Sequence, residues 1–260
     1  MKKIKIALVF GGRSGEHEVS LTSARSLIEA LDPARFTIIG VGITKEGRWL
    51  TGPRILDELE SRAAFLPQRG RKAPPADISP ATPLPVPADE TDALPAPFAE
   101  ADVVFNLVHG SFGEDGCLQG LFELAELPYV GAGVLGSALA MDKLAAKAVL
   151  AAAGLPVGPH LGLTRAELEE NPEPVKARIE AALAYPLFVK PANLGSSVGI
   201  TKVHGPSDLV QALELAAAYD RRIIVEEGID GREIECAVLG NDAPEASLPG
   251  EILPAREFYD

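Results

Sequence analysis

The chain has 260 residues, 47% of them hydrophobic and 23% charged, which is ordinary for a globular protein that buries one large core or two smaller ones. Its 24 Lys and Arg residues against 37 Asp and Glu give a net charge of −13. That balance argues against a nucleic-acid partner, because phosphate contacts need clustered basic side chains. The first apolar run, residues 4–10, is too short to span a membrane, so we expect a cytoplasmic protein without a membrane partner.

The two cysteines, Cys117 and Cys236, are far apart in the sequence. Two such residues do not indicate a disulfide framework and suit a reducing compartment. We expect both to be buried as small apolar side chains and assign neither a catalytic role.

Strands and helices alternate over the first 140 residues. Buried strands are predicted by the apolar runs at residues 4–10, 36–44 and 102–108, with Ser20 as the N-cap of a helix that reaches about residue 31. Shorter elements are expected at residues 48–50, 118–127 and 129–130. The order favours a doubly wound parallel sheet with right-handed crossovers. Nine prolines in residues 67–97 predict an extended surface excursion from this domain.

The pattern changes after residue 140. A long helix over residues 135–153, closed by Gly154, leads to strands at 185–190 and 200–203 that form an antiparallel hairpin. A helix at 207–219 and strands at 222–227, 233–239 and 252–253 follow. We therefore predict an α/β chain with an N-terminal Rossmann-like domain (1–140), a small α+β lid (141–220) and the start of an incomplete antiparallel sheet (221–260).

Two glycine-rich segments follow the first and third predicted strands. Residues 11–20 read GGRSGEHEVS and residues 109–116 read HGSFGEDG. Glycines at the carboxyl end of a strand allow the backbone to approach a ligand. The first segment matches neither a dinucleotide fingerprint nor a P-loop, and alone it fits a structural turn equally well. The second begins with His109 and opens a helix, which favours a substrate-binding loop.

Two further segments carry charge at strand ends. Residues 190–199 read KPANLGSSVG, so Lys190 ends a buried strand and a Gly-Ser-Ser loop follows with donors for phosphate. Residues 223–235 read IIVEEGIDGREIE, where carboxylates can accept hydrogen bonds from an adenine amino group or ribose hydroxyls. The bland alternatives are a hairpin loop with an exposed lysine and a solvated acidic edge.

Taken together, these blocks resemble the D-alanine–D-alanine ligase family of the ATP-grasp superfamily. The resemblance also includes Met141-Asp142-Lys143 and Phe258-Tyr259-Asp260, and its six ordered blocks span nearly the whole chain. It implies that ATP phosphorylates the carboxylate of one D-alanine, and that the amine of a second attacks the acyl phosphate. The product is a precursor for peptidoglycan and thus for cell-wall biogenesis and cell shape. A homodimer is also implied.

The resemblance assigns roles to particular residues. Glu16 is expected to hold the ammonium of the first D-alanine and His109 to lie near its carboxylate. Lys143 and Lys190 are expected on the ATP phosphates, and Ser196 is expected to orient Glu16. The phosphate loop comprises Gly195, Ser196, Ser197, Val198 and Gly199, and the nucleoside site comprises Glu226, Glu227, Ile229 and Glu233. Glu227 departs from the lysine that is common in the family.

The resemblance also implies parts that lie beyond Asp260. These are a tyrosine-bearing loop, an arginine for the transition state and the carboxylate and amide ligands of two Mg²⁺ ions. We therefore expect the chain as written to be a fragment that does not turn over by itself.

Three alternatives stay open. A D-alanine–D-lactate ligase shares most of the motifs, although residues 257–260 favour the dipeptide enzyme. A non-catalytic nucleotide-binding module has no need of Glu16 and His109. A different ATP-grasp enzyme, such as a carboxylase subunit, does not account for residues 109–116.

Overall fold

A computed structural model describes residues 2–52, 54–64, 96–195 and 197–253. Most of the predicted proline-rich excursion, the loop residue Ser196 and the motif at residues 258–260 lie outside the described residues. The chain divides into two compact units. The first contains residues 1–156, 192–196 and 218–220, and the second contains residues 157–191, 197–217 and 221–260. The domain boundaries near residues 140 and 220 stay predictions.

The first unit contains a five-stranded sheet in the order β3-β2-β1-β4-β5. All neighbouring strands are parallel except β3, which pairs antiparallel with β2. The elements in chain order are β1 (Ile4–Gly11), α1 (His17–Ala30), β2 (Phe36–Ile43), β3 (Trp49–Thr51), α2 (Ile55–Ala64), α3 (Ala96–Ala99), β4 (Val103–Asn106), α4 (Cys117–Leu124), β5 (Tyr129–Val130), α5 (Val134–Met141) and α6 (Lys143–Ala152).

Strand β1 is buried on both faces of this sheet. Ala7 and Val9 belong to a cluster that includes Phe122 of α4, whereas Leu8 and Phe10 pack in a second cluster with residues of α1 and α2. A strand covered on both faces has a continuous apolar sequence rather than an alternating one. The predicted doubly wound parallel arrangement is confirmed.

Two predicted features of the first unit are wrong. The helix expected over residues 135–153 is two helices, because Asp142 has extended backbone (φ −86°, ψ 104°) and its side chain accepts a hydrogen bond from the N–H of Ala145. An aspartate that caps a new helix in this way competes with continuation of the preceding one. Helix α1 begins at His17 rather than after Ser20, so Ser20 lies inside the first turn and is buried.

The second unit contains a four-stranded antiparallel sheet in the order β6-β9-β7-β8. The predicted hairpin is confirmed, with Leu187 opposite Val203 and Val189 opposite Thr201. The elements are β6 (His160–Thr164), α7 (Arg165–Glu170), α8 (Pro172–Ala182), β7 (Leu187–Pro191), β8 (Thr201–Val203), α9 (Leu209–Tyr219), β9 (Arg222–Glu227), β10 (Glu233–Glu235), β11 (Val238–Leu239), β12 (Glu245–Ala246) and β13 (Gly250–Ile252).

One face of the four-stranded sheet packs on helices. Leu187 and Val189 of β7 share a core cluster with Ile179 of α8 and with Leu209 and Leu213 of α9. Because side chains alternate along a strand, Phe188 and Lys190 lie on the opposite face. The single strand predicted over residues 233–239 is wrong, since β10 pairs with β13 and β11 pairs with β12. No helix among the described residues is long and apolar enough to cross a membrane.

Candidate active site

Two serines connect the segment that follows β1, which includes the start of α1, to the segment that follows β4. Ser14 Oγ donates to the carbonyl oxygen of His109 at 2.7 Å. Ser20 Oγ donates to the carbonyl oxygen of Leu107 at 2.5 Å and accepts from the N–H of Gly11 at 2.7 Å. These bonds connect the carboxyl ends of two adjacent parallel strands, where ligands bind in sheets of this kind.

Glu16 lies at the N-terminal end of α1, with its carboxylate beside two glycines of the same unit. Its backbone N–H donates to Ser14 Oγ at 3.3 Å. A Cβ atom built on Gly110 would come within 3.0 Å of Glu16 Oε2, and one built on Gly195 would lie 3.5 Å from the same oxygen. Gly110 also has φ +69°, a backbone conformation that favours glycine. The predicted substrate residue Glu16 therefore lies against the predicted substrate loop.

The imidazole of His109 is held at both ring nitrogens. Ser23 Oγ lies 3.2 Å from Nε2, and Oε1 of Glu114 lies 3.7 Å from Nδ1. The nearby Glu114 carboxylate raises the pKa of His109 above its usual value, despite the opposing effect of burial, and Glu16 adds to the rise. The imidazole in turn lowers the pKa of the Glu114 carboxyl, whose other oxygen accepts from the N–H of Gly110 at 2.7 Å. This corner of the first unit therefore favours a protonated imidazole beside the Glu16 carboxylate.

The loop between β4 and α4 is fixed by its own side chains. Asp115 accepts from the N–H of Phe112 at 2.8 Å and from that of Cys117 at 3.0 Å. The side-chain amides of Asn106 and Gln119 both donate to the carbonyl oxygen of Gly113, at 2.7 and 2.8 Å. Since these bonds set the backbone of residues 112–117, the loop presents His109 and Gly110 in a defined orientation.

Lys143, the first residue of α6, is bound to the segment that contains Gly195. Its Nζ donates to the carbonyl oxygen of Leu194 at 2.5 Å, and its backbone N–H donates to that of Ala192 at 2.9 Å. The first unit therefore brings together four predicted site residues, namely Glu16, His109, Lys143 and Gly195.

In the second unit, Lys190 and Glu226 form an ion pair on adjacent strands. Nζ of Lys190 lies 2.6 Å from Oε2 of Glu226, and the two side chains are 23% and 11% exposed. Phe188 lies beneath the ammonium groups of Lys190 and Lys202, with ring centroids 5.3 and 5.7 Å away. The Phe188 ring attracts the ammonium groups of Lys190 and Lys202, and its face could also stack against a planar base.

A cavity of about 470 Å³ opens on this face of the sheet. Ile229 and Glu233, both predicted for the nucleoside, line it together with Phe188, Lys202 and Arg232. Its volume falls within the usual range for small-molecule sites.

The remaining predicted residues of the second unit have structural contacts or simple loop positions. Oε1 of Glu227 accepts from the N–H of Ala184 at 2.7 Å, so this carboxylate holds the segment that follows α8. Ser197 (φ +54°) and Gly199 (φ +74°) both have left-handed backbone on either side of Val198. A turn of this kind exposes backbone N–H groups, which suits an anion.

The predicted burial of Cys117 and Cys236 is wrong, because both are exposed, and both are free as the sequence indicated. Partial burial and the neighbouring Asp115 raise the pKa of the Cys117 thiol to about 11, so it is not a thiolate nucleophile at neutral pH. Among the described residues, no cluster of three or more His, Cys, Asp or Glu side chains could hold a metal ion.

Comparison with known proteins decides the family. The model of the D-ala D-ala ligase N-terminus matches residues 5–132, and that of the D-ala D-ala ligase C-terminus matches residues 149–260. The chain belongs to the D-alanine–D-alanine ligase family. The D-alanine–D-alanine ligase of Natranaerobius thermophilus is 47% identical over 263 residues, covering all of this chain and 69% of the relative. That of Thermoanaerobacter sp. strain X514 is 50% identical over 260 residues, covering all of this chain and 70% of the relative.

Solved ligase structures share the fold. The VanG D-Ala:D-Ser ligase of Enterococcus faecalis has a TM-score of 0.77 and 38% identity, covering all of this chain and 72% of its own. The D-alanine–D-alanine ligase of Coxiella burnetii has a TM-score of 0.76 and 37% identity, and the match covers 98% of this chain and 70% of the ligase chain. The predicted ATP-grasp fold class, the ligase family and the enzyme class are confirmed, whereas the roles of individual residues stay predictions.

Proposed function

We propose that this protein uses ATP to join two molecules of D-alanine into D-alanyl-D-alanine. The observation that carries the proposal is the match to D-alanine–D-alanine ligases along the whole chain, at 47–50% identity for the two relatives above. The carboxylate of the first D-alanine takes the γ-phosphoryl group of ATP. The amine of the second D-alanine attacks the carbonyl carbon, the C–N bond forms, and phosphate leaves with the C–O bonding pair.

Glu16 and His109 suit the two charges of the first D-alanine. An α-ammonium needs an anion, and the Glu16 carboxylate lies at the carboxyl end of the sheet between Gly110 and Gly195. The α-carboxylate needs a positive charge, and the Glu114 carboxylate raises the pKa of His109. The serine that the resemblance pairs with Glu16, Ser196, is part of the same proposal and lies outside the described residues.

The residues proposed for the nucleotide are those that the family resemblance assigns. Lys143 and Lys190 supply compact positive charges for phosphates, and the backbone N–H groups of residues 195–199 supply donors. The cavity beside Phe188 is proposed for the adenosine, with Glu226, Glu227 and Ile229 for the base and Glu233 for the ribose. The exposure of Ile229 and Glu233 supports this assignment, because both side chains are open to a ligand.

Several broader properties belong to the proposal. Mg²⁺ would neutralise phosphate charge, as the family resemblance implies. A cytoplasmic location, a homodimer and a role in peptidoglycan synthesis, cell-wall biogenesis and cell shape rest on the same resemblance. The two free cysteines agree with a reducing compartment.

The test is product formation. The protein is incubated with Mg²⁺-ATP and D-alanine, phosphate release is followed, and the dipeptide is identified by mass spectrometry. Stoichiometric D-alanyl-D-alanine and phosphate support the proposal. Competition between D-alanine, D-serine and D-lactate at neutral pH identifies the second substrate, and a depsipeptide as the main product would replace the proposal with the lactate ligase.

A matched variant separates the ligase from a nucleotide-binding module. Glu16→Gln keeps the size of the side chain and removes its charge. We expect it to abolish D-alanine binding while ATP binding is retained. Unchanged D-alanine binding would favour the module.

A further inference from the structure

One hydroxyl group of α1 faces the imidazole that the proposed function places beside the substrate. Ser23 Oγ lies 3.2 Å from His109 Nε2, in a partly buried setting, across 86 residues of sequence. The other ring nitrogen faces Glu114. A neutral imidazole that donates Nδ1–H to a carboxylate has an acceptor at Nε2, and a hydroxyl can donate to that acceptor. When the ring is protonated, the same hydroxyl can accept instead, so Ser23 suits both charge states.

The other nearby hydroxyls of α1 have different partners. The side chains of Thr22 and Ser26 bond to carbonyl oxygens of α1 one turn earlier, at 3.1 Å in each case, and both residues are exposed. Ser20 bonds to the backbone of Leu107. Of the described hydroxyl-bearing residues in α1, Ser23 alone bonds to the His109 ring, which a serine with a purely helical role would not do.

We infer that Ser23 is a positioning residue that fixes the ring of His109 for the first D-alanine. With Ser23 hydrogen-bonded to one nitrogen and the Glu114 carboxylate 3.7 Å from the other, rotation of the imidazole would lose the hydrogen bond or the ion pair. Both ring nitrogens therefore face protein groups that hold the orientation of the ring. Ser14 fixes the backbone of the same residue through its carbonyl oxygen. The inference rests on the proposed function only where it names D-alanine.

The test compares Ser23→Ala, Ser23→Thr and the control Ser26→Ala in the whole protein. Loss of one such hydrogen bond corresponds to roughly a five- to tenfold change in affinity. We expect Ser23→Ala to raise KM for D-alanine by about that factor, with kcat within about twofold. Ser23→Thr keeps the hydroxyl and should restore KM, while Ser26→Ala should leave both constants unchanged. An unchanged KM in Ser23→Ala would overturn the inference.

Nuclear magnetic resonance of the imidazole supplies a readout that does not depend on turnover. His109 is one of four histidines, so a His109→Gln variant assigns its ring signals. In Ser23→Ala the ring of His109 should lose its single fixed conformation, seen as averaged side-chain couplings and an altered Nε2 chemical shift. Couplings and shift identical to those of the parent protein would mean that Ser23 does not hold the ring.

The same spectra separate this inference from the proposed function. D-alanine added to the parent protein should shift the His109 signals. If D-alanine has no effect but Ser23→Ala releases the ring, the positioning role stands and the substrate assignment is wrong. If D-alanine shifts the signals and Ser23→Ala changes neither ring nor KM, the proposed function stands and the positioning role is wrong.

Discussion

The carboxylate of Glu16 lies directly against the Cα of Gly110. A Cβ at residue 110 would come within 3.0 Å of Glu16 Oε2 and 3.2 Å from the Cβ of Ser14, and φ is +69°. The first glycine after His109 therefore serves two purposes. It adopts a left-handed backbone, and it leaves space for the side chain that we propose binds the substrate ammonium.

Gly110→Ala should displace that carboxylate. Since a shift of about 1 Å can cost two orders of magnitude in rate, we expect kcat/KM for D-alanine to fall on the order of 100-fold, with ATP affinity retained. The control is Gly120→Ala in α4, where an added Cβ has no neighbour within 4 Å. Steady-state kinetics of both variants checks this, and full D-alanine activity in Gly110→Ala would contradict it.

The pair of His109 and Glu114 should make the stability of the protein depend on pH. The raised pKa of His109 stabilises the fold below the unfolded value of 6.5, and this is lost as pH rises through the folded pKa. The lowered pKa of Glu114 stabilises the fold above 4.5, and this is lost as pH falls through the folded pKa. The pair therefore contributes most between about pH 4.5 and 6.5.

Glu114→Gln keeps an acceptor for the N–H of Gly110 and removes the charge. We expect it to destabilise the protein more at pH 6 than at pH 8.5, by below about 1 kcal/mol because both side chains are partly exposed. Urea unfolding at the two pH values measures the difference, and a histidine titration should show the His109 pKa moving toward 6.5. An equal loss of stability at both pH values would count against the ion pair.

The pair of Lys190 and Glu226 can be tested by a double-mutant cycle. Lys190→Met removes one ammonium group that pairs with the nearly buried carboxylate of Glu226, so we expect a loss of about 2–3 kcal/mol in the free energy of unfolding. Adding Glu226→Gln should recover a large part of this loss without restoring ATP affinity. Denaturant unfolding and nucleotide titration give the two quantities. Strict additivity of the two substitutions would mean that the pair is not coupled in solution.

The sheet of the first unit could be predicted from the sequence, because a strand buried on both faces has an unbroken apolar run. The glycine-rich motifs follow these runs. They also indicated the loops that carry Glu16 and His109. Ser14, Ser23 and Glu114 were not assigned a role. Glu114 lies only four residues after Gly110, so its bond to that residue is local, whereas the bonds of Ser14 and Ser23 to His109 join residues 95 and 86 positions apart. Local spacing carries no signal for such bonds.

Other misses had a signal in the sequence. Strand β6 and helices α7 and α8 were not predicted, yet Thr164 and Glu167 form a capping box at the start of α7. The pattern of a threonine followed by a glutamate three residues later marks a helix start. Residues 233–239 look like one strand, and only pairing with two different partners divides them into β10 and β11.

A substitution at Ser20 can show whether this serine acts as a helix N-cap or as a bridge, that is, a side chain that bonds to both Gly11 and Leu107. A serine N-cap typically contributes about 1 kcal/mol. The observed Ser20 is fully buried and bonds to both Gly11 and Leu107, so Ser20→Ala removes this partner from a buried backbone N–H and from a partly buried carbonyl oxygen. We expect a loss of about 2–3 kcal/mol. Chemical unfolding measures it against Ser26→Ala as the exposed control, and a loss as small as that of the control would refute the bridge.

Asp142 ends α5 and begins α6, and it thereby sets the position of Lys143. Its side chain is buried and caps α6 through the N–H of Ala145, while Lys143 bonds to Ala192 and Leu194 on the neighbouring segment. Alanine has the highest helix propensity and no cap, so Asp142→Ala should favour one continuous helix and turn Lys143 away from that segment. We expect a loss of about 1 kcal/mol in stability together with weaker ATP binding.

Asp142→Asn is the matched variant, because asparagine caps a helix as well as aspartate does. It should retain the break between α5 and α6 and the stability that depends on it. If ATP affinity falls in Asp142→Ala and is kept in Asp142→Asn, the cap positions Lys143. If both variants lose affinity equally, the negative charge of Asp142 matters rather than the cap, and the break in the helix has no part in nucleotide binding.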